Sequence, residues 1–146
     1  PLALPRQNLR QIEGTSREGL EGGYIVQDSK KAVPDAIIIA SGSELSLAVE
    51  AKKVLAEAGI DVRVVSMPCM DIFEEQSEEY KAKVLPKNVR KRVAVEALSG
   101  FGWDRYVGLD GDIIGMNRFG ASAPYSKLFP YFGFTVENVV ARVKAL

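Results

Sequence analysis

The sequence contains no histidine. That absence excludes Ser–His–Asp and Cys–His nucleophile activation, histidine-ligated zinc and imidazole proton transfer. Cysteine is nearly absent too. Cys69 stands alone, so no intramolecular disulfide is possible, and a reducing, cytoplasmic setting is expected. With no imidazole to activate it, Cys69 is expected to pack in the core. Long apolar runs are also missing. The longest, Ala36–Ala40, falls far short of the roughly 20 residues a membrane span needs, and no basic-then-apolar signal segment opens the chain. Nor is there an excess of either charge, because 19 basic residues balance 19 acidic ones, which removes any general electrostatic pull toward nucleic acid or an anionic membrane.

What remains is 146 residues, 47% of them apolar, enough for one domain with a buried core. Residues 1–22 differ from the rest. Pro1–Leu4 has the composition of a strand end, but the stretch through Glu13–Gly23 is polar, glycine-bearing and aperiodic, and reads as a linker. After Gly22-Gly23 the pattern becomes an alternation of strands and helices. Ala36–Ala40 is a β-branched apolar run of the kind buried on both faces of a sheet. Ser41 and Glu44 have capping-box spacing, with Ser43 an equally suitable cap. Leu47, Ala48, Ala51, Val54, Leu55 and Ala58 then recur at helical spacing up to Gly59. Val62–Val65 follows as a strand, and the spacing suits a right-handed parallel β–α–β crossover.

Asp71 and Glu74 predict a capped helix running to about Lys83, before Pro86. Arg92–Glu96 and Asp112–Gly115 read as further strands. Between them, Ser99–Tyr106 is expected to form a short aromatic helix or turn on the sheet edge. Ser122-Ala123-Pro124 signals a helix start with proline in the first turn. Thr135 caps a terminal helix with Val136, Val139, Val140 and Val143 on one stripe. These elements predict a three-layer α/β domain on a mostly parallel sheet.

Several positions have the residue types of a site. Gly42-Ser43, between a buried strand and a helix N-terminus, has the placement of an anion site, and equally that of an ordinary strand-to-helix turn. Leu109–Asp112 is an acidic glycine turn without a calcium loop's ligand series. The basic cluster at Lys87, Arg90, Lys91 and Arg92 reads as a solvated loop. Gly100, Gly102, Gly115, Gly120 and Gly133 punctuate aromatic segments as tight-packing positions. Arg6, followed by Gln7 and Asn8, has a guanidinium suited to bidentate phosphate or carboxylate recognition.

Leu4-Pro5-Arg6-Gln7-Asn8-Leu9 resembles the Arg-Gln-Asn segment of transketolases. The resemblance continues in order through Gly22-Gly23-Tyr24, Ala40–Glu44, Val64–Pro68, Val95-Glu96-Ala97, Gly102-Trp103 with Tyr106, Arg118–Pro124 and Phe132–Val140. Pro5 stands where that family often has serine or threonine, and Arg10 where it often has proline. The resemblance implies that residues 1–22 end a pyrimidine-binding region and its linker, and that 23–146 form the family's C-terminal domain. It implies a mostly parallel five-stranded sheet with one antiparallel edge strand at Tyr24–Gln27. By the same resemblance, the parent enzyme transfers a two-carbon ketol unit between sugar phosphates, using thiamine diphosphate and magnesium or another divalent metal. Its partners would be the remainder of the chain, a second subunit in a homodimer and the sugar phosphates, with no nucleic acid or membrane.

Arg6 would bind the substrate phosphate. No catalytic, cofactor or metal residue of the family falls within this chain, whose role would be packing, dimer support and positioning of Arg6, with no activity on its own. Two alternatives are a freestanding α/β binding or regulatory domain, and the C-terminal part of a related thiamine diphosphate enzyme such as a deoxyxylulose-phosphate synthase or 2-oxoacid dehydrogenase subunit.

Overall fold

The Ala36–Ala40 run forms the central strand of the sheet, and all five of its residues are buried. A computed structural model describes residues 7–146; the expected strand end at Pro1–Leu4 and the candidate Arg6 lie outside the described residues. Five strands, β1 (Tyr24–Gln27), β2 (Ala36–Ala40), β3 (Val62–Ser66), β4 (Arg92–Glu96) and β5 (Asp112–Gly115), lie in the order β1-β3-β2-β4-β5. Strands β2 to β5 run parallel, and β1 pairs antiparallel with β3 at one edge.

Alternation along the strands sends side chains into two separate cores. Ala36, Ile38 and Ala40 of β2, with Val62, Val64, Val93 and Val95, face α1 (Leu45–Glu57) and α6 (Val136–Ala145). Ile37, Ile39, Val65 and Ala94 face the other way, against Phe73, Val84, Trp103 and Tyr106. Those last four belong to a layer of short helices: α2 (Met70–Glu74), α3 (Glu78–Val84) and α4 (Asp104–Val107), with Trp103 just before α4. The three-layer fold is therefore as expected, including the antiparallel edge strand.

Local details depart from expectation in five places. The helix expected from Asp71 to Lys83 is two helices. Its Asp71/Glu74 box does not form, because Cys69 takes the N-cap position of α2 without a side-chain bond. Ser77 starts α3 instead, its hydroxyl accepting from the Tyr80 N–H at 3.2 Å. Ser41 does not cap α1 either: a 3-10 turn at Gly42–Glu44 intervenes, and the Ser41 hydroxyl is directed to another strand. The linker contains a 3-10 helix, Arg17–Glu21, between a Ser16 cap and a left-handed Gly22. Gly22 and Gly23 are both buried; a Cβ on Gly22 would lie 2.3 Å from the Phe73 nitrogen, so the chain there admits no side chain. Pro124 precedes α5 (Tyr125–Phe132) as its cap rather than lying in the first turn. Finally, Gly102 and Gly120 face open space and are not packing positions, whereas a Cβ on Gly100 or Gly115 would meet a neighbouring atom at 3.1 Å.

Candidate functional site

Strand β2 is followed in the chain by β3 on one side, while β4 pairs on its other side. The chain therefore reverses its direction across the sheet between β2 and β4, and the loops leaving their carboxyl ends diverge there. Open α/β sheets place ligand sites at such a crevice. Here the crevice holds Ser41 through Glu44 from the β2 exit, and Glu96 and Ala97 from the β4 exit.

Two carboxylates meet at this point. The Ser41 hydroxyl donates to Glu96 Oε2 at 2.6 Å, and Glu96 Oε1 accepts from the Leu98 N–H at 3.2 Å. Glu44 is turned inward and only 4% exposed, accepting from the Ser43 hydroxyl and the Ala97 N–H. Burial raises the Glu44 pKa above the usual carboxylate range, and the Glu96 charge adds to the rise; the hydrogen bonds from Ser43 and Ala97 offset only part of it. Chemically, the pair braces the two strand exits against each other. The negative charge favours hydroxyl donors or a cation over a second anion.

Beside the brace lies an open depression of about 240 Å³, lined by residues that include Gln7, Asn8, Arg10, Gly42, Ser43 and Tyr125. Gly42 has φ +49° while a Cβ there would touch nothing, so the glycine answers a backbone requirement and not a lack of space. The structure thus brings the two residues that follow Arg6 to the Gly42-Ser43 turn. Arg10 in this depression is exposed and pairs with Glu50 at 3.5 Å.

The remaining candidates are structural. In the basic cluster, Lys87, Arg90 and Lys91 are exposed and Arg90 pairs with Asp110 of the glycine turn at 2.5 Å. Arg92 departs from the solvated-loop reading. It turns inward and donates to the carbonyls of Leu85, Pro86, Val89 and Tyr106, so its partial burial is matched by hydrogen bonds. Cys69 is half-buried, its N–H donating to the Gly22 carbonyl at 3.0 Å.

Two buried groups were not singled out by sequence reasoning. Arg63, within β3, is 8% exposed and bonds to Asp28 and to the carbonyls of Lys83 and Val84. An arginine inside a strand buried on both faces was itself the signal. The Tyr106 hydroxyl is buried with no group in hydrogen-bonding geometry among the described residues; burial, the largest cause, pushes its pKa up, and the nearby Glu74 carboxylate adds to the rise.

Among the described residues no group of three or more histidine, cysteine, aspartate or glutamate side chains is placed to hold a metal ion. Likewise, no helix among them is long and apolar enough to cross a membrane.

Residues 22–135 match the family model described as the transketolase-like C-terminal domain. The chain is 56% identical to a transketolase of Bacillus subtilis, an alignment that covers 99% of this chain and 22% of that protein. It is 53% identical to transketolase 2 of Escherichia coli, over 97% of this chain and 21% of that protein. Among solved structures, a transketolase from Leishmania mexicana superposes with a TM-score of 0.88 at 45% identity, covering 97% of this chain and 20% of that one. The chain thus spans about a fifth of the length of the curated relatives it matches. With the sheet order, the antiparallel edge and the sequence match in agreement, the chain belongs to the transketolase C-terminal domain family.

Proposed function

We propose that this chain is the C-terminal domain of a transketolase and serves the parent enzyme structurally, without catalytic activity of its own. Residues 1–22 would complete the pyrimidine-binding region and its linker, and 23–146 the domain proper. The observation that carries this reading is the coverage: nearly the whole chain aligns at 56% identity, yet it fills only 22% of the relative. The alignment thus treats the chain as one portion of a much larger enzyme. A transketolase of Pichia stipitis described as a complex with sedoheptulose 7-phosphate matches 96% of this chain at 45% identity, which supports sugar phosphates as the parent's substrates.

Thiamine diphosphate and magnesium, which the family implies, are assigned to no residue of this chain. Their chemistry belongs to the rest of the parent, which we read as a cytoplasmic homodimer, and no step of it is assigned to this chain.

Within this chain, Arg6 is the substrate-binding residue. A planar guanidinium that keeps its charge matches a phosphate dianion. The placement of Gln7 and Asn8 against Gly42 and Ser43 supports a role for the domain in steadying the Arg6 segment. Substituting Arg6→Ala in the full-length enzyme tests this. Loss of a charge-assisted pair, about 1.5–3 kcal/mol, lowers kcat/KM for a phosphorylated acceptor about tenfold or more. Transfer to a short acceptor aldehyde that lacks phosphate stays unchanged. An equal loss with both acceptors would contradict the assignment.

A further inference from the structure

The loops that leave the carboxyl ends of β4 and β5 present large apolar side chains that no described residue covers. Phe119 is 99% exposed, Phe101 90% and Leu98 72%. Their loops are joined: the Met116 N–H donates to the Leu98 carbonyl at 2.7 Å, and the Gly100 N–H donates to Asn117 Oδ1 at 3.4 Å. The second loop is also anchored. The Arg118 guanidinium lies over the rings of Tyr131 and Phe132, 4.9 and 4.8 Å from their centroids, and donates to the Tyr131 carbonyl at 3.4 Å. A cation held between aromatic rings fixes the backbone beside Phe119, and that ring is left in water. Single exposed apolar residues are ordinary, but three on two linked and anchored loops mark a contact surface.

Leu109 supplies the contrast. It is as exposed as Phe119, at 99%, but it precedes β5 and so lies at the opposite, amino end of the sheet, next to the Arg90–Asp110 ion pair.

The occupant follows from where the chain enters and from how much of its relatives it leaves unmatched. Gln7 and Asn8 meet Gly42, Ser43 and Tyr125 at the carboxyl end of the sheet, the same end as Phe119. The relatives are between four and five times longer than their aligned portion. In a protein of that length, most of the polypeptide lies outside this chain, and Gln7 is at the same end of the sheet as these side chains. Leu98, Ser99, Phe101, Asn117 and Phe119 are uncharged, and the one cation between them, Arg118, is held over Tyr131 and Phe132, so the complement is mainly apolar. We propose that Leu98, Phe101 and Phe119 form the docking face for the part of the parent polypeptide that precedes this chain, with Phe119 at its centre. The inference rests on the reading of the chain as the C-terminal domain of a longer enzyme.

Hydroxyl-radical footprinting of the intact parent enzyme tests it, with each residue's modification rate normalised to its rate in denaturant. Phe119 and Phe101 should react several-fold more slowly than Leu109 within the same molecules. A photo-crosslinking substitution, Phe119→benzoylphenylalanine, should join peptides that precede Gln7 in the same chain, with isotopically mixed subunits separating that outcome from crosslinks between copies. Modification of Phe119 as fast as that of Leu109 would overturn the proposal. So would crosslinks formed only to a second copy or to a different protein. Ketol transfer assayed on the same preparation keeps the two readings apart. An active enzyme with Phe119 freely modified sinks the docking face alone. An inactive one with Phe119 protected sinks the transketolase reading alone.

Discussion

Replacing Arg63 by methionine removes a charged group from the interior of β3 while keeping most of its stem volume. The guanidinium makes four hydrogen bonds: to Asp28 Oδ1 at 2.7 Å, Asp28 Oδ2 at 3.2 Å, the Lys83 carbonyl at 2.7 Å and the Val84 carbonyl at 3.2 Å. Breaking a buried ion pair costs about 3–5 kcal/mol, mainly because a partner is stranded. Here Asp28 has a half-exposed side chain and rehydrates, whereas the end of α3 loses donors to its last carbonyls. The expected loss for Arg63→Met is therefore near the lower bound, about 3 kcal/mol.

Urea unfolding followed by Trp103 fluorescence measures it, since Trp103 is the sole tryptophan and only 3% exposed. At slopes of about 1–3 kcal/mol per molar, the midpoint falls by on the order of 1–3 M. Asp28→Asn should also be costly, about 3 kcal/mol, because it leaves the buried Arg63 guanidinium without its counter-charge. The Asp28 pKa is raised by burial but held below its ordinary value on balance by the bonds and charge of Arg63 and the bonds from Ser29. The stability Asp28 contributes is present above its unfolded value and lost as pH falls through the folded one, and this loss should shrink in Arg63→Met, where only the Ser29 bonds remain. A loss under about 1 kcal/mol for Arg63→Met would refute the claim that this network ties β1's exit and α3 to the sheet.

The brace between the strand exits gives a prediction of the opposite sign. Burial raises the Glu44 pKa, so the folded state binds a proton more readily than the unfolded state; stability is greatest below the unfolded value and falls as pH rises through the folded one. Glu44→Gln should flatten that dependence and leave the protein at least as stable at neutral pH, as read by thermal melts across pH; an unchanged slope would count against a buried charge. Tyr106→Phe removes a buried hydroxyl that has no partner, so its unfolding free energy should equal or exceed that of the parent by about 1 kcal/mol, where a clear loss would mean that the hydroxyl is bonded after all.

Much of the fold was legible because burial on two faces leaves a simple trace. Ala36–Ala40 could be read as a central strand from its uninterrupted β-branched run, and α6 from its valine stripe and Thr135 cap. The break between α2 and α3 was misread because Asp71 and Glu74 mimic a capping box. Ser77, followed by two glutamates, was the better start signal and lay within the same stretch. The crevice was less legible. Glu44 in sequence looks like a residue reaching back to its own helix cap, but besides its own N–H its carboxylate takes the Ala97 N–H, after another strand, and no local pattern reports that pairing. The same holds for Arg63. Its need for a partner is plain in sequence, whereas the identity of Asp28 depends on how β1 leaves the sheet edge. The neighbourhood of Gln7 and Asn8 with Gly42 and Ser43 likewise arises only when the linker crosses the carboxyl end of the sheet.

The most direct test of the central claim is the size of the native polypeptide in its source cells, read on a denaturing blot with an antibody raised against this chain. If the chain is the C-terminal domain of a transketolase, the band is between four and five times heavier than 15.9 kDa, in line with relatives of which it covers about a fifth. A native band at 15.9 kDa, with no heavier species, would contradict that account and leave this sequence as a small protein in its own right.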